Sequence, residues 1–248
     1  MGPGISRRES GKRLARVASG TALLALQPAC SSQLPLPAER PHLGPMKPLA
    51  SARTTRTMLP TGQLQLTIEH DTILGVSPQM MRWWFENLSQ TMVYRGTTYP
   101  RYLLWHPRDH IGLNVATRSA SGGTGQGAYW RIVEAFAANP DFYVDATVYV
   151  EKLDDEGLSL VRRERGIEFL RLEHRFTAVN GGASYRSRML VGPASGMARG
   201  FFNHLVRPRV FPDEMAAAWL THNVEEVSML EHVLPSLHAS RTSNESAR

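Results

Sequence analysis

The sequence predicts an α+β fold in which an antiparallel sheet curls around one long C-terminal helix. Two observations carry this prediction: a run of segments with strand periodicity, and a strongly apolar helical segment that follows them. Strands that are followed by a helix, without regular alternation of the two, are typical of α+β domains. A curled sheet buries more of the apolar surface of such a helix than one flat contact would.

The part of the chain before the long helix divides into strands and one short helix. Leu64, Leu66 and Ile68 alternate with polar residues, as in a half-buried strand. Ser77 and Pro78 supply the N-cap and the first-turn proline of a short aromatic helix. The other predicted strands cover residues 101–105, 129–136, 142–153, 158–163, 168–178 and 184–191, and the long helix covers residues 212–237.

Composition divides the 248 residues into four parts. Residues 1–30 resemble an export or lipoprotein signal, and residues 31–62 are a linker rich in Pro, Ser, Thr and Arg, which we expect to be disordered. Residues 63–240 form the folded domain, and residues 241–248 are a disordered tail. With 42% hydrophobic and 20% charged residues, the chain has the composition of a soluble globular protein with a single domain.

The net charge of +6 is concentrated at the N-terminus. Residues 1–29 contain five basic residues and one acid, so they carry +4, and the rest of the chain carries only +2. The rest also lacks a stripe of Lys and Arg interleaved with aromatic residues. The charge therefore argues against nucleic acid as a partner.

The N-terminal segment has the features of an export signal. Arg7 and Arg8 precede an apolar run over residues 17–26, and the only cysteine, Cys30, follows it. The arginine pair resembles a twin-arginine leader, and Cys30 stands where a bacterial lipoprotein signal carries its acylated residue. We expect an exported, periplasmic or lipid-anchored bacterial protein, with a membrane contact only through that anchor. The alternatives are a cytoplasmic protein with an N-terminal extension, or translation that starts at Met46.

His222 and Glu226 are four residues apart in the long helix, so their side chains leave the same face. An imidazole and a carboxylate directed at one point form half of a tetrahedral zinc site. A solvated surface pair is the alternative, since such pairs are common on helices. The surrounding residues are apolar, which favours a specific role for the pair; they are Trp219, Val227, Leu230, Val233 and Leu234.

Five motifs occur in the order seen in a known family: GVSPQMMRWWF at residues 75–85, RYLLWHPRDH at 101–110, RIVE at 131–134, His174 with YRSRMLVG at 185–192, and HNVEE at 222–226 with LPSL at 234–237. In this order they resemble the 2,4-diacetylphloroglucinol hydrolase family over residues 64–238. The resemblance implies a helix-grip (START-like) fold whose cavity holds zinc. It also implies hydrolysis of the carbon–carbon bond between an acyl group and a phenolic ring.

The resemblance implies four metal ligands: His110, Glu134, His222 and Glu226. His106 is the alternative to His110. Glu134 closes an apolar strand, where a carboxylate is either paired or coordinating. Nitrogen and oxygen donors of this kind suit zinc, with iron or manganese as alternatives.

The resemblance also implies residues that act on the substrate. Tyr102 and His174 are the expected catalytic residues, and Tyr102, Trp84 and Met189 are the expected substrate contacts. Met189 stands where the family has a tyrosine, and it cannot donate a proton. Each has a structural alternative, namely a buried hydrogen-bonded tyrosine, a histidine on the outer face of a strand, or core packing.

A function from another class is also compatible with the sequence: a non-catalytic carrier of an apolar ligand in a helix-grip cavity. The two functions differ in their need for a metal. The hydrolase requires an ion held by the four donors and acts on a small phenolic substrate, whereas the carrier requires none.

Overall fold

The computed structural model describes Met1 and residues 33–245, except for the side chains of Ala198 and residues 241–245. Met1 apart, the predicted export signal with Cys30 therefore lies outside the described residues, as do residues 246–248. The described residues from Gln33 onward belong to one compact unit. Within the described part of the chain, no helix is long and apolar enough to cross a membrane.

The main sheet is antiparallel. Its strands are β1 (Arg53–Met58), β2 (Leu64–Glu69), β3 (Ile73–Leu74), β6 (His110–Thr117), β7 (Tyr129–Ala135), β8 (Tyr143–Asp154), β9 (Gly157–Glu164), β10 (Ile167–Val179) and β11 (Gly182–Val191). The strand order is β1-β2-β11-β10-β9-β8-β7-β6, with the two-residue strand β3 paired to β11. From β2 to β6 this is the helix-grip order, in which Leu64 at the start of β2 faces Val191 at the end of β11. The predicted α+β class is confirmed.

A separate hairpin and two short helices precede β6. The hairpin consists of β4 (Thr91–Tyr94) and β5 (Thr97–Pro100), and the helices are α1 (Pro78–Glu86) and α2 (Arg101–Trp105). The predicted cap of α1 is present, since the Ser77 side chain accepts a hydrogen bond of 3.2 Å from the backbone of Met80.

The long C-terminal helix is divided in two. After the short helical segments α3 (Ala198–Phe201), a π-helical turn (Phe202–Val206) and α4 (Arg207–Val210), the chain forms α5 (Asp213–Ser228) and α6 (Leu230–Glu245). The prediction of one continuous helix over residues 212–237 is thus corrected at Met229. There the backbone N–H bonds the carbonyl of Glu226, three residues back, which tightens the helix and interrupts it.

The polar face of α5 lies between two apolar clusters. The first cluster packs α1 and α6 against the middle of the sheet, and it includes Trp84, Trp105 and Val227. The second packs α5 against β2 and β11, and it includes Trp219 and Val224. Polar side chains of α5 between these clusters are buried, so each of them needs a partner.

Residues 101–105 form the helix α2, so the predicted strand there is wrong. Four of its five residues are buried, Leu103 being the exception. A short apolar run that is buried almost throughout fits a helix or a strand equally well. The strand on this part of the chain is β6, which starts only at His110.

The predicted disordered linker over residues 31–62 is also corrected. Residues 53–58 form β1, which pairs with β2 along its full length. Further upstream, the backbone N–H of Arg40 donates to the carbonyl of Pro107 at 3.1 Å, and its guanidinium donates to the carbonyls of Leu103 and His110. Single apolar side chains of the stretch, such as Leu43, Met46 and Leu49, also pack against the two hydrophobic clusters, but they are irregularly spaced and so give no periodic signal. At the other end, α6 continues to Glu245, into the predicted tail.

Candidate metal centre

Four side chains from three elements meet in the buried interior. His110 begins β6 and faces Glu134 of β7 directly across the ladder. His222 and Glu226 lie one turn apart on α5 and are 2% and 6% exposed. Antiparallel pairing places the first two side chains together, and helical periodicity places the other two together. The structure therefore brings together all four ligands that the resemblance implies.

The donor atoms face a common centre. His110 Nε2 lies 3.4 Å from Glu134 Oε1 and 3.5 Å from Glu226 Oε2. His222 Nε2 lies 4.0 Å from Glu134 Oε2 and 3.9 Å from Glu226 Oε2. Ligands that each stand ~2.0–2.1 Å from zinc are roughly 3.3 Å apart in a tetrahedron. The two distances from His110 match this spacing within ~0.2 Å, and the two from His222 are longer by ~0.7 Å, so a small shift of the His222 ring would complete the spacing of zinc ligands.

The hydrogen bonds of both imidazoles engage Nδ1 and leave Nε2 as the atom that can bind a metal. His110 Nδ1 lies 2.6 Å from the carbonyl of Tyr102, and His222 Nδ1 lies 3.0 Å from Asp109 Oδ2. Each acceptor requires a proton on Nδ1, so Nε2 of the neutral imidazole is the atom that carries the lone pair. His110 Nε2 is buried and has no hydrogen-bond partner among the described residues. A buried nitrogen lone pair that faces two carboxylates fits a cation.

Asp109 orients the ring of His222 and is itself anchored by hydrogen bonds from neighbouring residues. Its carboxylate accepts hydrogen bonds from the backbone of Ala137 at 2.9 Å and of Ala138 at 3.0 Å, and from Arg108 Nε at 2.9 Å. Burial alone would raise the pKa of Asp109, but the hydrogen bonds from His222 and Arg108 hold it well below its usual range. The sequence does not predict a role for this residue. Its one signal was its position between two histidines in WHPRDH.

His106, the alternative to His110, faces away from the centre. Its Nε2 lies 3.1 Å from Glu225 Oε2, and its Nδ1 accepts from the backbone of Asp109 at 3.1 Å. His106, Asp109 and His222 also lie close enough together to hold an ion. However, both ring nitrogens of His106 are already engaged by these two contacts. The carboxylate of Asp109 is likewise engaged by its four hydrogen bonds. The geometry favours His110 as the ligand.

Both α5 donors have a raised pKa, for different physical reasons. Burial lowers the pKa of His222, but the hydrogen bond with Asp109 and the charges of Glu226 and Glu134 raise it to about 9. Burial raises the pKa of Glu226 to about 7. Without a metal, the site therefore holds protons that a cation would displace.

Tyr102 belongs to the same site. Its ring stacks on His110 at 3.8 Å between centroids, and its hydroxyl donates to Glu134 Oε1. Burial, and then the charge of Glu134, raise the pKa of Tyr102 well above its usual value, so the hydroxyl stays protonated. Tyr102 is thus positioned to orient Glu134 or to donate a proton.

The other expected site residues do not contact the four candidate ligands in the described contacts. His174 is on β10, where its Nδ1 lies 3.0 Å from Ser187 Oγ. Trp84 is fully buried in the first apolar cluster and packs edge-on against Trp105 at 6.0 Å. Met189 lies in the second cluster. Core packing therefore describes the observed contacts of Trp84 and Met189, whereas His174 has one polar partner, Ser187, and otherwise packs against aromatic rings.

Comparisons with known proteins give distant structural similarities only. No family model and no curated protein matches the chain. Among solved structures, a START superfamily protein from Mycobacterium smegmatis is 10% identical, with 67% of this chain and 94% of that chain covered and a TM-score of 0.43. Ara h 8.0201 is 10% identical, with coverages of 68% and 98% and a TM-score of 0.41. A protein from Rhodobacter sphaeroides is 13% identical, with coverages of 75% and 99% and a TM-score of 0.41. The helix-grip assignment rests on the strand order of the chain itself.

Proposed function

We propose that the protein is a zinc-dependent hydrolase that cleaves the carbon–carbon bond between an acyl group and a phenolic ring. One observation carries the metal-dependent part of the proposal. The Nε2 atoms of His110 and His222 and the carboxylates of Glu134 and Glu226 face one buried centre. The choice of bond rests on the resemblance of five motifs to the 2,4-diacetylphloroglucinol hydrolase family.

The donor set fits zinc. Two imidazoles and two carboxylates are borderline and hard donors, which zinc accepts in tetrahedral sites. When bound, the ion supplies Lewis acidity, which polarises a carbonyl group and lowers the pKa of water towards neutrality. The protein supplies the fixed imidazole orientation through the Tyr102 carbonyl and Asp109, and it supplies a dry surrounding.

Two side chains are suited to donate a proton or to accept a hydrogen bond during the reaction. The reaction adds the hydroxyl of water to the acyl carbon, which leaves as a carboxylic acid, and adds a proton to the ring carbon. Tyr102 donates to Glu134 and keeps its proton at neutral pH, so it is a candidate donor. Burial lowers the pKa of His174 to about 3, so this imidazole is neutral and can accept a hydrogen bond from a phenolic hydroxyl.

The test uses the purified full-length chain, with zinc content and acetate release from monoacetylphloroglucinol as the two measurements. We expect about one zinc per chain and release of acetate. The matched control substrate is the trimethyl ether of the same compound, which cannot reach a keto form and should release none. A protein without a stoichiometric transition metal, or one that releases no acid from any acylated phenol, would contradict the proposal.

A second candidate is a non-catalytic carrier of a small apolar ligand. The observation that favours it is the position of the polar groups, which lie between two extensive apolar clusters as in a ligand-binding cavity. A carrier would bind monoacetylphloroglucinol without turnover, and chelation of the metal would leave the affinity unchanged. Calorimetric titration before and after chelation separates the two functions.

A further inference from the structure

The segment between β11 and α5 is helical and exposes a row of apolar side chains. It runs through α3, the π-helical turn and α4, from Ala198 to Val210. Met197, Phe201 and Leu205 follow one another at four-residue spacing, which places them on one face. All three are exposed, Phe201 by 59% and Leu205 by 50%. We call Met197, Phe201, Leu205 and Val210 the apolar helix face.

This face concentrates the exposed apolar surface of the protein. Among the described residues, thirteen large apolar side chains are exposed, and four of them lie between residues 197 and 210. Single exposed apolar residues are normal on a protein surface, whereas a contiguous group marks a place where another molecule binds.

The opposite side of the helical segment is fixed to the rest of the fold. Phe202 packs against Phe169 of β10 at 4.7 Å between ring centroids. Asn203 Nδ2 donates to the carbonyls of Thr61 and Pro193, both at 3.0 Å. Phe202 and Asn203 are buried. Because these contacts hold the segment in its helical form, a partner of the apolar helix face binds a preformed surface and avoids the entropic cost of ordering it.

The charges beside this face are mainly positive. Residues 194–212 contain three arginines and no acidic residue. Arg199 and Arg209 are exposed, and the guanidinium of Arg209 donates to the carbonyl of Leu205, so its charge lies beside the apolar side chains. Two acids follow at the start of α5, and ion pairs join the first of them to two arginines. The four arginines of this region are Arg56, Arg199, Arg207 and Arg209, and its two acids are Asp213 and Glu214. The region therefore has a formal charge of +2.

This charge argues against a second copy of the chain as the partner. A twofold contact brings the same face of both copies together, so Arg199 and Arg209 of one copy would approach those of the other. Like charges that face each other across an interface cost free energy. A rigid acidic protein would need a groove that fits the protruding side chains of Met197 and Phe201, whereas the lipids of a bilayer rearrange around them.

We propose that the apolar helix face docks the protein on an anionic membrane surface, with Phe201 and Leu205 among the lipid headgroups and Arg199 and Arg209 against the lipid phosphates. Amphipathic helices lie in the bilayer interface in this way, since apolar burial and attraction to anionic lipid add together. The sequence predicts a membrane contact only through the N-terminal anchor, so this surface is an additional contact. It does not depend on the proposed hydrolysis.

Sedimentation of the purified full-length chain with vesicles tests the apolar contact. The vesicles contain phosphatidylglycerol and phosphatidylcholine in equal amounts. We expect the wild type to bind, and Phe201→Gln and Leu205→Gln each to bind at least about fivefold more weakly, because an amide replaces buried apolar surface. The matched control is Leu74→Gln, which changes a leucine that is 59% exposed on β3 and should bind as the wild type does. Residues 1–29 carry +4, but they are the same in every variant, so the comparison is unaffected. Equal binding of Leu205→Gln and Leu74→Gln, or no binding of the wild type, overturns the proposal.

Charge variants test the selectivity for anionic lipid. Arg199→Gln and Arg209→Gln should each weaken binding to the same vesicles by roughly fivefold, while Arg118→Gln, at another exposed arginine, should not. Vesicles of pure phosphatidylcholine should bind the wild type much more weakly, and added salt should weaken binding to the anionic vesicles. If Arg199→Gln and Arg118→Gln bind alike, or neutral vesicles bind as tightly as anionic ones, the proposal is wrong.

Light scattering after size-exclusion chromatography tests a second copy as the partner. A wild-type dimer that Leu205→Gln converts into a monomer would assign the apolar helix face to a second copy and overturn the membrane contact. Melting temperature and zinc content should stay near those of the wild type in all these variants, because the changed side chains are exposed and lie outside the candidate metal centre. Vesicle binding as expected without acid release from any acylated phenol would support the docking surface and refute the proposed hydrolase.

Discussion

His222 Nδ1 and Asp109 Oδ2 lie 3.0 Å apart in the buried interior, and this contact joins α5 to the loop before β6. Asp109 is anchored in turn by the backbone of Ala137 and Ala138, which follow β7. One carboxylate thus ties together the three elements that carry the candidate ligands. Such partners of metal-bound imidazoles fix the ring and raise its basicity.

Asp109→Asn should therefore weaken zinc binding although Asp109 is not a ligand. The amide oxygen can still accept from His222, but the negative charge that favours the imidazole is lost. We expect zinc affinity to fall by about 10- to 100-fold. Competition with a chromophoric chelator measures this, and Asp141→Asn, an exposed carboxylate, is the control. Equal affinities in the two variants would show that Asp109 does not act on the metal.

Alanine variants of four buried histidines should fall into two groups according to their zinc content. His110→Ala and His222→Ala each remove a nitrogen donor, so both should lose most of their zinc and the folding free energy coupled to it. His106→Ala and His174→Ala should keep it, because the contacts of these rings lie outside the centre. Plasma emission analysis and melting temperatures compare all four. Loss of zinc from His106→Ala comparable to that from His110→Ala would reverse the choice between them.

Tyr102→Phe should separate metal binding from turnover. The phenyl ring can keep its stacking on His110, while the hydrogen bond to Glu134 is lost. We expect nearly unchanged zinc content and at least a tenfold slower release of acid, in line with the loss of a proton donor. The check is single-turnover acetate release at matched zinc occupancy. Unchanged turnover would leave Tyr102 with a packing role only.

Arg40→Ala should loosen the loop that carries His110. The guanidinium of Arg40 reaches the carbonyls of Leu103 and His110, on either side of the His106–Asp109 loop. Losing these charge-assisted hydrogen bonds should cost roughly 1–3 kcal/mol of folding free energy. Chemical denaturation measures this, with the exposed Arg118→Ala as the control. If both variants unfold alike, the segment around Arg40 does not support the site.

The sequence predicted what depends on local periodicity. The cap at Ser77 and the shared face of His222 and Glu226 follow from residues close together in the chain, and the structure contains both. The helix at residues 101–105 was missed because nearly uniform burial of five residues has no period. The roles of Arg40 and Asp109 were missed for another reason. Their partners lie 28 to 113 residues away, and only the folded chain brings them together.

The metal-free protein should lose stability as the pH rises above neutrality. In the metal-free protein the pKa of His222 is raised to about 9, and that of Glu226 to about 7. The His222 contribution is thus complete below pH 6.5 and is lost as the pH passes 9. The buried histidines with lowered pKa values, such as His110 and His174, are neutral in both folded and unfolded states above pH 7. Between pH 7 and 9 the metal-free protein should therefore lose stability, on the order of 2 kcal/mol.

Zinc binding displaces these same protons, so its affinity should rise with pH over the same range. We expect the difference in melting temperature between zinc-loaded and chelated protein to widen from pH 7 to pH 8.5. The control is His222→Gln, which cannot hold the proton, and its chelated form should show a nearly flat profile there. A chelated wild type that becomes more stable as the pH rises would contradict the raised pKa of His222. A zinc increment that shrinks with pH would show that the ion does not displace protons from this site.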